Sequence, residues 1–84
     1  MTALNTSNQP TINLNLYATL STYRPRNPSH YPIQSGMTLG ELVEQLLIPS
    51  STAVTVFVNG KTVAMDSQLR GNEEVKIFPL MGGG

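Results

Sequence analysis

From Thr11 to Ala18 the chain alternates, with Ile12, Leu14 and Leu16 on one side and Asn13, Asn15 and Tyr17 on the other. That two-residue period predicts a half-buried strand. Tyr23 to His30 holds Pro25 and Pro28, which interrupt regular structure. A short run from Tyr31 to Gln34 follows, and its Pro32 predicts an edge strand. Thr38 and Glu41 then have the spacing of a capping box. Behind them Leu39, Leu42, Val43, Leu46 and Leu47 recur at helical spacing until Pro49. One amphipathic helix is predicted, starting near Thr38, ending by about Pro49 and packed on the sheet by Leu39, Leu42, Val43 and Leu46. Val54, Val56 and Val58 alternate with Thr55 and Phe57 up to Asn59-Gly60, a pair suited to positive φ at both positions of a tight hairpin, and Lys61 to Met65 is the predicted return. Val75 and Ile77 alternate with Lys76 and Phe78 until Pro79, after which Leu80 and Met81 lead into glycines. The predicted order is ββαβββ or ββαββ, an α+β domain with one helix on a mixed sheet of four to five strands.

Strand parity predicts which side chains the helix leaves uncovered. If Ile12, Leu14, Leu16, Val54, Val56, Val58, Val75 and Ile77 face the helix, then Tyr17, Phe57 and Phe78 point the other way. Contiguous aromatics on that face would form a partner-docking patch, with Phe78 placing it near the end of the chain. Singly exposed aromatics, by contrast, are ordinary.

Size and charge narrow the range of functions. A single domain of 84 residues buries about 60–65% of its unfolded surface and has little room for an enclosed active site. Five Lys plus Arg against five Asp plus Glu leave no broad basic footprint for nucleic acid or an anionic membrane, so protein partners are expected. The absence of cysteine removes thiolate chemistry and sulfur-ligated metals and fits a reducing cytoplasm. No stretch approaches the roughly 20 apolar residues of a membrane span. Residues 1–10 are expected to be a flexible polar leader, 11–79 the domain, and 80–84 a flexible tail.

Catalytic groupings are sparse. His30 is the sole histidine and does not define a metal site alone. Glu73 and Glu74 are adjacent, so they project to opposite sides of an extended chain and suit a turn better than paired acid–base work. The serines lack a base other than His30 and a G-x-S-x-G setting. Arg24 and Arg26, near Tyr23 and Tyr31, read as a solvated loop or as a pair of partner contacts.

The tail is the most informative segment. Gly82-Gly83-Gly84 presents a carboxylate with no Cβ beside it, on residues that adopt nearly any backbone conformation and so can thread a narrow channel. The same residues read equally well as a frayed end, since ordering them costs about 1–2 kcal/mol each. A phosphate-binding glycine loop is a poor fit, because such a loop opens directly into a helix.

Val58-Asn59-Gly60-Lys61, Leu69-x-Gly71-x-x-Glu74-Val75 and Phe78-Pro79-Leu80-Met81-Gly82-Gly83-Gly84 together resemble the MoaD/ThiS sulfur-carrier family of ubiquitin-like β-grasp proteins. The resemblance runs from about Thr11 to Gly84. The Leu14-Asn15-Leu16-Tyr17-Ala18-Thr19-Leu20 segment and the Phe-Pro placement are closer to the molybdopterin-synthase small subunit than to the thiamine carrier. It implies that a ubiquitin-activating-like enzyme uses ATP to adenylate Gly84, and that a sulfur donor converts the adenylate to a thiocarboxylate. A molybdopterin-synthase-like large subunit would then take the sulfur. The carrier would be a cytoplasmic monomer when free, binding no cofactor or metal and catalysing nothing alone. Tyr17, Phe57, Phe78, Leu80 and Met81 would contact partners, and Gly82, Gly83 and Gly84 would enter their active sites. Gly82 stands where the family commonly has another small residue, Leu80-Met81 replaces a more usual Pro-Val or Pro-Pro, and Arg70 and Asn72 occupy a turn where acidic residues are frequent. A thiamine-type carrier, a ubiquitin-like modifier joined to lysines and a plain interaction module stay open as alternatives.

Overall fold

The computed structural model describes residues 9–80. Strands β1 (Thr11–Leu16), β2 (Tyr31–Pro32), β3 (Val54–Val58), β4 (Lys61–Thr62) and β5 (Glu74–Pro79) surround one helix in sequence, α1 (Leu39–Gln45). They form one sheet in the order β2-β1-β5-β3-β4. At its centre β1 and β5 run parallel, with Leu14 opposite Val75 and Leu16 opposite Ile77. The other neighbours are antiparallel. Five strands and a mixed sheet settle the order as ββαβββ.

The core lies on the helix side of the sheet. Ile12, Leu14 and Leu16 from β1, Val56 from β3, and Val75 and Ile77 from β5 meet Leu39, Leu42, Val43 and Leu46, as the periodicities predict. Val54 and Val58 pack against this cluster while partly buried. Four further residues plug its margins: Leu20, Ile33, Ile48 and Leu69. Leu20, Ile48 and Leu69 sit in connections that carry no strand or helix period, and Ile33 belongs to the short Tyr31 to Gln34 run, just past the end of β2.

The start of α1 follows its sequence signal. Thr38 N–H donates to Glu41 Oε1 at 2.9 Å, and Glu41 N–H donates back to Thr38 Oγ1 at 3.1 Å, completing the capping box. The end does not. Leu47, which continues the apolar spacing, is 79% exposed, because its φ of +67° turns the chain out of the helix before Pro49 is reached. Leu47 N–H donates to Glu44 O and Ile48 N–H to Val43 O, the two bonds of a Schellman ending. Ile48 takes the buried seat beside Val43, the apolar contact such an ending commonly makes.

Three strands are shorter than their patterns suggest, β2 stopping at Pro32 rather than Gln34. The first ends at Leu16 rather than Ala18, since Ala18 takes φ +55° and opens a 3-10 turn over Ala18–Tyr23. The hairpin return is Lys61–Thr62 rather than Lys61 to Met65. Beyond Val63, whose N–H still reaches Val56 O, the chain crosses to the helix N-terminus. There Met65 O accepts from Gly40 N–H at 2.8 Å and Ser67 O from Leu39 N–H at 3.0 Å. These carbonyls satisfy amide groups that a helix start leaves without intrahelical partners.

The turn before β5 is tied by Glu73, whose carboxylate accepts from Arg70 N–H at 2.8 Å and Gly71 N–H at 2.7 Å. A Cβ on Gly71, which has φ +135°, would lie 2.8 Å from Pro10 Cβ, so no larger residue fits. Pro10 itself accepts from Ile33 N–H at 3.0 Å, extending the β1–β2 pairing just ahead of Thr11.

Candidate functional site

The sheet face away from α1 carries Tyr17, Phe57 and Phe78, and their rings touch. Parallel pairing of Leu16 with Ile77 sets the next residues, Tyr17 and Phe78, side by side, and Tyr17 N–H keeps that alignment by donating to Ile77 O at 3.1 Å. Their rings stack at 4.3 Å between centroids with planes 9° apart. Across β5, Phe78 pairs with Thr55 and Lys76 with Phe57. Phe57 is therefore Phe78's diagonal neighbour, and it meets the Phe78 ring edge-on at 5.6 Å and 81°. Each such contact adds about 0.5–1.5 kcal/mol beyond area burial. All three residues are half-buried, so the trio is ordered and still accessible.

A hollow lies on either side of the trio. One, of about 420 Å³, is lined by Asn15, Leu16, Tyr17, Ala18, Ser21, Arg24 and neighbours. The other, of about 270 Å³, is lined by Phe57, Gly60, Lys76 and Phe78. Arg24 thus borders the site, whereas Arg26 and His30 are exposed loop residues outside both linings. Asn15, Lys76 and Arg24 are additions to the expected site. The first two share strand parity with the aromatics, a signal present in the sequence. Arg24 comes from an aperiodic loop and has no such signal.

The chain leaves this face along β5. Leu80 N–H donates to Ala53 O at 2.9 Å, and Leu80 is 54% exposed, two residues beyond Phe78. Met81, Gly82, Gly83 and Gly84 lie outside the described residues. Among the described residues no cluster of three metal-ligating side chains forms. No described helix is long and apolar enough to cross a membrane. At the opposite sheet edge, burial raises the Tyr31 phenol above its ordinary value of 10.0.

One helix on a five-stranded mixed sheet with a parallel central pair is the β-grasp, the fold of ubiquitin-like sulfur carriers. The crystal structure of SAMP1 from Haloferax volcanii shares it, with a TM-score of 0.60 over 88% of this chain and 99% of that one at 20% identity. The model of the ThiS family matches residues 15–84, and the chain belongs to that family. A comparison with curated proteins gives no match.

Proposed function

We infer that this protein carries sulfur on its C-terminal glycine. In this reading the Gly84 carboxylate attacks the α-phosphorus of ATP inside a ubiquitin-activating-like enzyme, releasing pyrophosphate. Hydrosulfide then attacks the acyl carbon of the adenylate and AMP leaves, so that a thiocarboxylate remains on Gly84; a persulfide donor would instead leave an acyl disulfide, which a thiol must cleave to free the same thiocarboxylate. The carrier supplies no catalytic group. Its parts are a docking face and a tail narrow enough to enter the partner's site, with Gly82 and Gly83 lacking the Cβ that would obstruct entry.

The observation that carries this reading is the family match extending through residue 84. The aromatic trio gives it a physical basis, since Phe78 stands on the strand from which the tail departs. Tyr17, Phe57, Phe78, Leu80 and Met81 are the proposed partner contacts. The proposed sulfur acceptor is a molybdopterin-synthase-like large subunit, favoured by the resemblance of the segment from Leu14 to Leu20 and of the Phe78-Pro79 step.

Intact-mass measurement of the protein isolated from its native cell tests the proposal. A sulfur-loaded tail is heavier by the difference between one sulfur and one oxygen atom. A lysine conjugate would appear as a far heavier adduct and favour a modifier. An unchanged mass after supply of activating enzyme, ATP and sulfur donor would leave only an interaction module. Restoration of molybdopterin synthesis, and not of thiamine synthesis, in cells lacking the corresponding carrier identifies the branch.

A further inference from the structure

The two hollows beside the aromatic trio share a feature that the chain's neutral composition conceals. Each is bordered by one cation, Arg24 in the first and Lys76 in the second, and neither lining contains an acidic residue. The stacked rings stand between the hollows, since Tyr17 lines the first and Phe78 the second. Asn15 and Ser21 add neutral polar groups to the Arg24 side. Glu74 shares the parity of Lys76 and Phe78, but it lies two residues along β5 from Lys76, away from Phe78. The face therefore joins an aromatic cluster to two cations, Arg24 at its β1 rim and Lys76 within it, between Asn15 and Phe57, on a chain of zero formal net charge.

We propose that this face docks a segment of a protein partner in which apolar or aromatic side chains are accompanied by carboxylates, one meeting Arg24 and another Lys76. The proposal rests on the docking role of the trio and adds the partner's chemistry. Complementary charge at the rim of an apolar contact sets orientation and association rate and rejects wrongly charged partners. It also makes binding depend on salt, because exposed charges are screened within about 8–10 Å at ordinary ionic strength. The guanidinium can grip a carboxylate with two parallel hydrogen bonds, and the ammonium acts as a point charge.

The test uses the full-length, isotope-labelled protein and three synthetic peptides, each with a Phe-Leu pair flanked on both sides by two glutamates, two glutamines or two lysines. Binding is followed through backbone amide shifts. The expected result is that the glutamate peptide binds roughly tenfold tighter than the glutamine peptide, with the lysine peptide weakest, and that this ranking collapses in high salt. The affected amides should cluster at Tyr17, Arg24, Lys76 and Phe78. In the double variant Arg24→Gln/Lys76→Gln the glutamate and glutamine peptides should bind alike, whereas Phe78→Ser should weaken both. Tyr17→Ser replaces Phe78→Ser if the latter lowers stability.

Equal affinity for glutamate and glutamine peptides, or a ranking that survives in the double variant, overturns the charge assignment while leaving the docking face intact if Phe78→Ser still weakens binding. Binding unaffected by either aromatic variant, or absent for all three peptides, overturns the docking role and the proposal with it. Displacement of the glutamate peptide by equimolar inorganic phosphate would reveal a small-anion site and equally overturn it.

Discussion

Asn59 and Glu74 hold each other by two hydrogen bonds across the β3–β5 ladder. Asn59 N–H donates to Glu74 O at 2.8 Å, and Glu74 N–H donates to Asn59 Oδ1 at 2.9 Å. Asn59 also takes φ +52° ahead of Gly60 at +87°, the paired positive angles of a tight hairpin turn. One side chain therefore shapes the turn after β3 and fixes the start of β5, the strand that carries Phe78.

Asn59→Ala is expected to lose the side-chain bond and to force a Cβ residue without a local polar partner into the left-handed region. Together these should cost about 1–3 kcal/mol. Asn59→Gly keeps the turn geometry and should cost about 1 kcal/mol, the bond alone. Urea denaturation of the three proteins gives the order; Asn59→Gly proving less stable than Asn59→Ala would refute the assignment.

Leu42 is fully buried beneath the sheet, so Leu42→Ala should destabilise the domain by about 2–5 kcal/mol. For a small domain that is a large share of total stability. Thermal unfolding measures it, and a change below about 1 kcal/mol would show that the helix does not anchor the core.

Leu47 points the other way. It is a branched, exposed residue at φ +67°, where glycine is the usual occupant of a Schellman ending. Leu47→Gly should raise stability by up to about 1 kcal/mol through relief of that strain, net of the greater freedom of the unfolded chain. A loss of stability in urea would mean that the Leu47 side chain makes a contact worth more than the strain.

Phe78→Ser removes the ring that both Tyr17 and Phe57 touch. Because Phe78 is only half-buried, the affinity for the activating enzyme is expected to fall more than the melting temperature does. Calorimetric titration beside thermal unfolding separates the two, and a variant that mainly unfolds would make Phe78 a core residue.

At the tail, Gly83→Ala is expected to block sulfur loading without touching the fold, since any Cβ at position 83 excludes backbone conformations open to glycine. Deleting Gly84 is a weaker test, because Gly82-Gly83 would still end the chain in a double glycine. With activating enzyme, ATP and a sulfur donor supplied, mass spectrometry should find thiocarboxylate on the natural chain and little on Gly83→Ala. Equal conversion would remove the narrow-channel argument.

Wherever a residue's environment follows from its near neighbours in sequence, the sequence alone determined it. The two-residue period assigned Ile12, Leu14, Leu16, Val75 and Ile77 to the core and the three aromatics to the opposite face. Thr38 and Glu41 marked the helix start because both halves of a capping box lie within one turn of chain. Asn59-Gly60 marked the hairpin because positive φ is a local requirement. Tertiary structure decided what depends on distant segments. Leu47 and Ile48 are equally apolar neighbours, and only the Schellman turn, set against the core beyond it, chose which one to bury. Lys61 to Met65 has the pattern of a strand, yet it pairs only through Val63, because the bare amides of Leu39 and Gly40 draw on the carbonyls of Ser67 and Met65. Parity placed Tyr17 and Phe78 on one face, but it could not make them neighbours. That required the parallel pairing of β1 with β5, strands more than fifty residues apart in sequence, and the same closure carried Arg24 from an aperiodic loop to the rim of the aromatic site.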